Sequence, residues 1–250
     1  MTAALLRMEL RRVVRDPVLL FFVAVLPLAC YLGFGLALPL DSVPGVDPTL
    51  LRSGLMVGLA AYGAATAAAT ITGQAAVERL QGWGRQLALT PAGDRGYATA
   101  KIAVAALVAC LPIALTFAAG AVTGVALAWW QWLGCAALLV LGSVTWACYG
   151  LAVGLTGRSQ SSLAIASGGL VLFSFLGGVY LPVGGALLLL ARLTPLYGYV
   201  TLARWPVTSG RSALEGQPVE HLAVALVNIL GWTAVFAVAA LRRLRAARTR

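Results

Sequence analysis

Six stretches of this chain are apolar, long enough to cross a bilayer, and free of Asp, Glu, Lys, Arg and His. They are Val18–Leu40, Ser53–Gln74, Ile102–Leu127, Leu133–Thr156, Leu163–Leu190 and Leu222–Leu241. A helix crossing the hydrocarbon core needs about 20 such residues. With no water there, the backbone must satisfy its own N–H and C=O groups, and a helix does so within one segment. These stretches predict an all-α polytopic membrane protein with six transmembrane helices. Composition agrees: 60% of residues are hydrophobic and 10% are charged, against about 25% charged in soluble domains.

The net charge of +10 is sorted along the chain. Arg7, Arg11, Arg12 and Arg15 precede the first span. Arg79, Arg85, Arg95 and Lys101 lie between spans two and three, and Arg158 follows span four. Arg242, Arg243, Arg245, Arg248 and Arg250 follow span six. Only Arg52, Arg192, Arg204 and Arg211 fall on the other side. Basic loops stay on the cytoplasmic side, so both termini are expected there, in a bacterial plasma membrane. The basic ends are explained by topology and by contact with lipid headgroups, without nucleic acid.

The single transmembrane domain divides into an interfacial helix (1–16), spans one to four (18–156) and spans five and six (163–241). A cytoplasmic loop (75–97) separates spans two and three, and a basic tail occupies 242–250. In Leu5–Val14, Leu5, Leu6, Leu10, Val13 and Val14 share one helical face, with Arg7, Arg11 and Arg15 on another. That pattern predicts an amphipathic helix in the membrane interface, and Asp16-Pro17 resets the backbone into span one. No cleavable signal peptide is expected, because the first span is too long and a helical basic segment precedes it. Asp41–Thr49 reads as a turn. Ala128–Trp132 reads as a short hairpin with Trp129, Trp130 and Trp132 at the interface; a carbohydrate platform is the sharper alternative. The fifth run is broken by Gly177-Gly178, Pro182 and Gly184-Gly185. Broken helices survive at membrane depth only when buried in protein or lining a cavity. Span five is therefore expected to stop short of the exterior, with a re-entrant exterior segment over 177–205 and an amphipathic helix over Leu187–Tyr199.

Recognisable reaction chemistry is missing from the sequence. No GxxxxGK[ST] phosphate loop occurs, since the one lysine follows Ala100. His221 is the sole histidine, so no histidine metal cluster can form and no Ser or Thr has a His as its base. Cys30, Cys110, Cys135 and Cys148 all fall in apolar runs and read as packing residues. The chain is not expected to be an enzyme, nor to hold a cofactor or metal. Ion-coupled carriers keep ionisable groups within the membrane, and these spans lack them. An energy source outside the spans would need a docking surface. The stretch VERLQGWGRQLALTP (Val77–Pro91) supplies a candidate: Val77, Leu80, Trp83 or Gly84, and Leu87 recur at helical spacing among polar residues. Gly82 and Gly84 predict a bend in that short helix.

The order of these parts resembles the permease, the integral membrane subunit, of ABC-2 type transporters, with a type V-like exporter layout, over nearly the whole chain. The resemblance rests on the N-terminal helix ending in RDP (Arg15–Pro17), the two-span hairpin, and the ER…G…RQL..TP loop from Glu78 to Pro91. GGVYLPV (Gly177–Val183), the Thr194-Pro195-Leu196 stretch and the Arg-rich tail complete it. The resemblance implies a paired arrangement, with itself or a related permease, on two copies of a separate ATP-binding subunit that holds ATP and Mg. It makes Val77–Leu89 the coupling helix, with Glu78, Arg79, Gln81, Trp83, Arg85 and Gln86 toward the ATPase. It makes Leu5–Arg15 the connecting helix, bearing Arg7, Arg11, Arg12 and Arg15, and Gly157–Ser162 a smaller cytoplasmic contact. Charge reversal at Glu78 is then expected to uncouple transport while leaving the spans folded.

The same resemblance implies a substrate route along the subunit interface, with Tyr31, Phe34, Tyr62, Thr66, Thr70, Phe173, Ser174 and Phe175 as candidates. Hydroxyls and aromatics in an apolar setting suit an amphipathic small molecule, drug, antibiotic or lipid, moved outward. A non-transporting scaffold or sensor accessory and a secondary carrier are the alternatives. The GxxxG pairs Gly54/Gly58, Gly120/Gly124 and Gly150/Gly154 carry no dimer signal, because 28 glycines in 250 residues yield about three by chance.

Overall fold

A computed structural model describes residues 3–37, 45, 47–74, 78, 93–156, 161–180, 183–213 and 220–246. All regular structure among the described residues is helical. Helix α1 spans Ala3–Val14. The first apolar run is one continuous rod of three pieces: α2 (Pro17–Leu20), a π turn (Phe21–Val25) and α3 (Leu26–Ala37). Then follow α4 (Pro48–Gly73), α5 (Gly93–Val122), α6 (Trp129–Gly154), α7 (Ser161–Leu176), α8 (Ala186–Leu193), α9 (Pro195–Thr208) and α10 (Leu222–Ala246).

Five helical segments among the described residues are long and apolar enough to cross a membrane: Pro17–Gly35, Pro48–Gly73, Gly96–Val122, Trp129–Gly154 and Leu222–Leu244. The fifth apolar run differs, giving a shorter helix, α7, that stops at Leu176. Gly178 sits just beyond it at φ +67°, a conformation that favours glycine.

Helix starts follow from local chemistry. Asp16 accepts from Leu19 N at 2.9 Å, with Pro17 in the first turn of α2. Asp47 accepts from Thr49 N and Leu50 N, with Pro48 behind it. Each is an N-cap followed by a proline whose missing N–H costs nothing there. The cap at Asp47 starts α4 earlier than the Ser53 expected from hydropathy. Span three ends at Val122 rather than Leu127, with Gly124 at φ +84°. Trp129, Trp130 and Trp132 accordingly occupy the first turn of α6 rather than a hairpin loop. The helix expected over Leu187–Tyr199 is two helices, because Thr194 caps Tyr197 N and Pro195 begins α9.

Helix α4 is the axis of the bundle and packs on α3, α5, α6, α7 and α9. Its sequence explains this, being largely Gly, Ala, Ser and Thr, which let backbones approach closely where lipid offers no hydrophobic drive. A Cβ at Gly150 of α6 would overlap Ala69 O and Thr72 Oγ1, and one at Gly154 would press on Gly73. A Cβ at Gly63 would meet Pro112 of α5 at 2.7 Å and Pro27 of α3 at 3.1 Å. Gly120 lies against Met56. Members of all three GxxxG pairs thus serve close packing within the chain.

The bundle has two distinct ends. At one, Arg12 of α1 meets Glu78, Glu78 meets the root of α5, and Tyr97 packs with Leu151 of α6 and Ala240 of α10. At the other, Asp47 N donates to Ala213 O at 2.8 Å and Glu220 N to Gly210 O at 2.9 Å. Helix α1 and the far end of α10 therefore share one end. The described arginines sort the same way: those of α1 and α10 at the first end, and Arg52, Arg192 and Arg211 toward the second.

Candidate functional site

At the first end a carboxylate is buried among cations. Glu78 is 3% exposed. Its Oε1 accepts from Lys101 Nζ and from Arg12 Nη1, both at 2.6 Å. Its Oε2 accepts from Tyr97 OH. Lys101 is 1% exposed and lies within the membrane-length segment of α5, one residue before the stretch that reads as free of charge. Arg12 reaches in from α1 with its side chain half exposed. The cluster fastens α1, the chain leaving α4 and the root of α5 at one carboxylate. Glu78 is thus turned inward, not outward as the loop reading expects, because two cations and a phenol converge on it. Arg79, Gln81, Trp83, Arg85 and Gln86 lie outside the described residues. Arg7, Arg11 and Arg15 are exposed on α1.

Above this cluster, between the first rod and α7, lies a cavity of about 440 Å³ with α4 as its floor. Tyr62, Thr66, Thr70 and Gln74 line it from α4. Val18, Leu19, Phe22, Val23 and Leu26 line it from the first rod, and Ser167, Leu170 and Val171 from α7. Asp16 stands at its mouth. From Asp16 an open arginine-lined recess continues along α1, bounded by Arg7, Met8, Arg11, Arg12, Arg15 and Pro17. The π turn shapes this wall by leaving Phe21, Phe22 and Val25 exposed while Val23 and Ala24 are buried.

An aromatic group adjoins the cavity at Tyr62. Tyr180 stacks near Phe34 (5.8 Å), Tyr62 (6.4 Å) and Phe175 (5.0 Å). Of the expected route residues, Tyr62, Thr66 and Thr70 line the cavity, and Phe34 and Phe175 belong to the aromatic group around Tyr180. The other three do not line it. Tyr31 is 3% exposed and hydrogen-bonds Thr123 at 2.8 Å, pinning the first rod to the end of α5. Phe173 packs with Trp146 and Tyr149 of α6. Ser174 Oγ donates to Val171 O at 2.7 Å and lies 3.4 Å from Tyr180 OH. Phe173 faces away from the cavity because α7 turns that side to α6.

The sequence alone makes Arg204 of α9 an exterior charge. It is a structural centre. Nε donates to Gly54 O at 2.8 Å, Nη1 to Gly178 O at 2.9 Å and Nη2 to Val179 O at 3.0 Å. The guanidinium therefore ties α4 to the turn that ends α7, the turn carrying Tyr180. A Cβ at Gly58 would overlap Arg204 Nη2 and crowd Val179 O. A second tie joins α8 to α10: Arg192 donates to Glu220 at 2.6 Å, and Asn228 Nδ2 donates to Arg192 O at 2.7 Å. The Glu220 acceptor pushes the Arg192 guanidinium above its ordinary range. No sequence spacing pointed to either tie, since their members lie far apart in the chain.

Fold and site together define a helical, multi-pass membrane protein with an ion cluster at one end and a cavity above it. Neither a scan against protein-family models nor a search among curated proteins finds a match.

Proposed function

We propose that the chain is the permease subunit of an ATP-driven ABC exporter, of the ABC-2 type, moving an amphipathic compound outward and working as a pair on two ATP-binding subunits. The observation that carries this reading is the Glu78 cluster. It welds an interfacial helix to the roots of α4 and α5, and α4 is the helix on which the bundle packs. A push on the loop after Glu78, or on α1, would reach the whole bundle through α4 and would reach the cavity that α4 floors. The energy would come from ATP and Mg bound in the separate subunit, which this chain's residues would engage through 79–92 and α1.

Six crossings complete the reading. Helix α7 has 16 residues, which at about 1.5 Å each is roughly 24 Å, short of the about 30 Å core. In this reading it crosses most of the membrane, and Gly177–Trp205 re-enters from outside to fill the remainder. An even number of crossings also agrees with α1 and the end of α10 sharing one end of the bundle, and positive charge places that end in the cytoplasm.

Two measurements test the proposal. Tagged chain purified in mild detergent is expected to bring down a Walker-motif ATPase near equal stoichiometry, with vanadate-sensitive hydrolysis. A clean preparation without one, active after ATP depletion, would replace the exporter with a scaffold or a carrier. In intact cells, Ser209→Cys is expected to react with a membrane-impermeant maleimide and Arg243→Cys only after permeabilisation. Equal labelling of both would break the six-span arrangement.

A further inference from the structure

The cavity and the arginine recess meet at Asp16, and their chemistries differ. The body is mostly apolar, walled by Val18, Phe22, Leu170 and Val171, with Tyr62, Thr66, Thr70 and Gln74 from α4 and Ser167 from α7 as its polar groups. At about 440 Å³ it is within the about 300–1,000 Å³ range of small-molecule sites. The mouth is cationic. Arg7, Arg11 and Arg15 are exposed there, while Arg12 is drawn toward Glu78. The one described carboxylate at the mouth, Asp16, already accepts from Leu19 N as the cap of α2. A tail that enters between the first rod and α7 therefore leaves its head group against guanidinium groups, which favour carboxylate or phosphate through paired N–H donors.

We propose that this groove binds an amphiphile with an acidic head and a single apolar tail, the head on Arg11 and Arg15 and the tail against Phe22 and Val171. The inference rests on the exporter reading for its purpose, as the class of molecule loaded. Binding itself requires no ATPase, so the two can fail separately. A cationic amphiphile of equal length would meet the same walls but a repelling mouth. The acidic head could belong to an inner-leaflet lipid or to a free cytosolic compound.

The test uses the full chain in nanodiscs of phosphatidylcholine. Equilibrium binding is measured for a spin-labelled palmitate and for a trimethylammonium probe of the same chain and label. The palmitate is expected to bind at least about tenfold more tightly at low salt, with the difference shrinking as salt screens the exposed arginines. Arg11→Gln/Arg15→Gln is expected to bring the two probes to parity. Val171→Trp, at an exposed position on the cavity wall, is expected to remove binding of both. Equal or tighter binding of the cationic probe would overturn the proposal. So would a preference that survives the double substitution, or undiminished binding in Val171→Trp, which would mean adsorption outside the groove. In the parent chain, displacement of palmitate by phosphatidylglycerol added to the disc upholds the proposal with a lipid as ligand. Retention against it upholds the proposal with a free amphiphile. Groove binding without a co-purifying ATPase would leave this site standing and remove the exporter.

Discussion

Glu78→Ala is expected to destabilise the chain by about 3–5 kcal/mol, the range for stripping one partner from a buried ion pair. The reason is Lys101. Its ammonium is 1% exposed and would lose the carboxylate that makes burial tolerable. Glu78→Ala/Lys101→Met should recover much of the loss, since the pair then carries no buried charge to desolvate. Arg12→Ala should cost about 1 kcal/mol or less, because the Arg12 side chain is half exposed and such pairs are screened. Glu78→Arg would place three cations around Tyr97, so it is expected to fail in folding, not merely in coupling as the sequence alone suggests. Thermal unfolding and the monodisperse fraction in detergent report all four variants. Equal losses in Glu78→Ala and the double variant would show that the charge on Lys101 is not the cause.

Arg204→Met is expected to release the turn that ends α7. Three charge-assisted hydrogen bonds to Gly54 O, Gly178 O and Val179 O disappear, each worth about 1.5–3 kcal/mol before the relief of desolvating the guanidinium is counted. Amide hydrogen exchange over residues 174–180 should accelerate by at least about tenfold, with little change at the Tyr31–Thr123 pin. Arg204→Lys should not rescue it, since an ammonium lacks the planar fork that reaches acceptors on both α4 and the turn after α7. Gly58→Val should have the same signature from the opposite partner, by displacing Nη2 and Val179 O. Unchanged exchange in Arg204→Met would mean that packing alone holds the turn.

Much of the architecture was legible because hydropathy and caps are local signals. The first rod, α4, α6 and α10 overlap the apolar runs, and Asp16-Pro17 declares a helix start through a side chain three residues from its target, whereas Asp47-Pro48, read as part of a turn, starts α4 ahead of the apolar run. The boundary at Lys101 was not legible. A lysine at the edge of an apolar run reads as the end of a span unless its carboxylate is known, and Glu78 sits 23 residues away. Likewise Tyr62, Thr66 and Thr70 advertise one polar face of α4 by their spacing. Phe173 and Phe175, two residues apart on α7, look alike in sequence yet face opposite sides. Tyr180 gave no pattern, because its place depends on Arg204 holding a turn beyond the helix.

The π turn at Phe21–Val25, where Leu26 N reaches back to Phe21 O, holds one residue more than an α-helix would use over the same rise. The rod is fastened below through Asp16 and α1 to Glu78, and above through Tyr31 to Thr123. Between two fixed points a surplus residue acts as stored slack. Sliding it along the rod would swivel the intervening residues, including Phe22 on the cavity wall, while both fastenings stay closed. Deleting one residue from Phe21–Val25 would take up the slack and set the ties out of register, so that one end of the rod could be moored but not both.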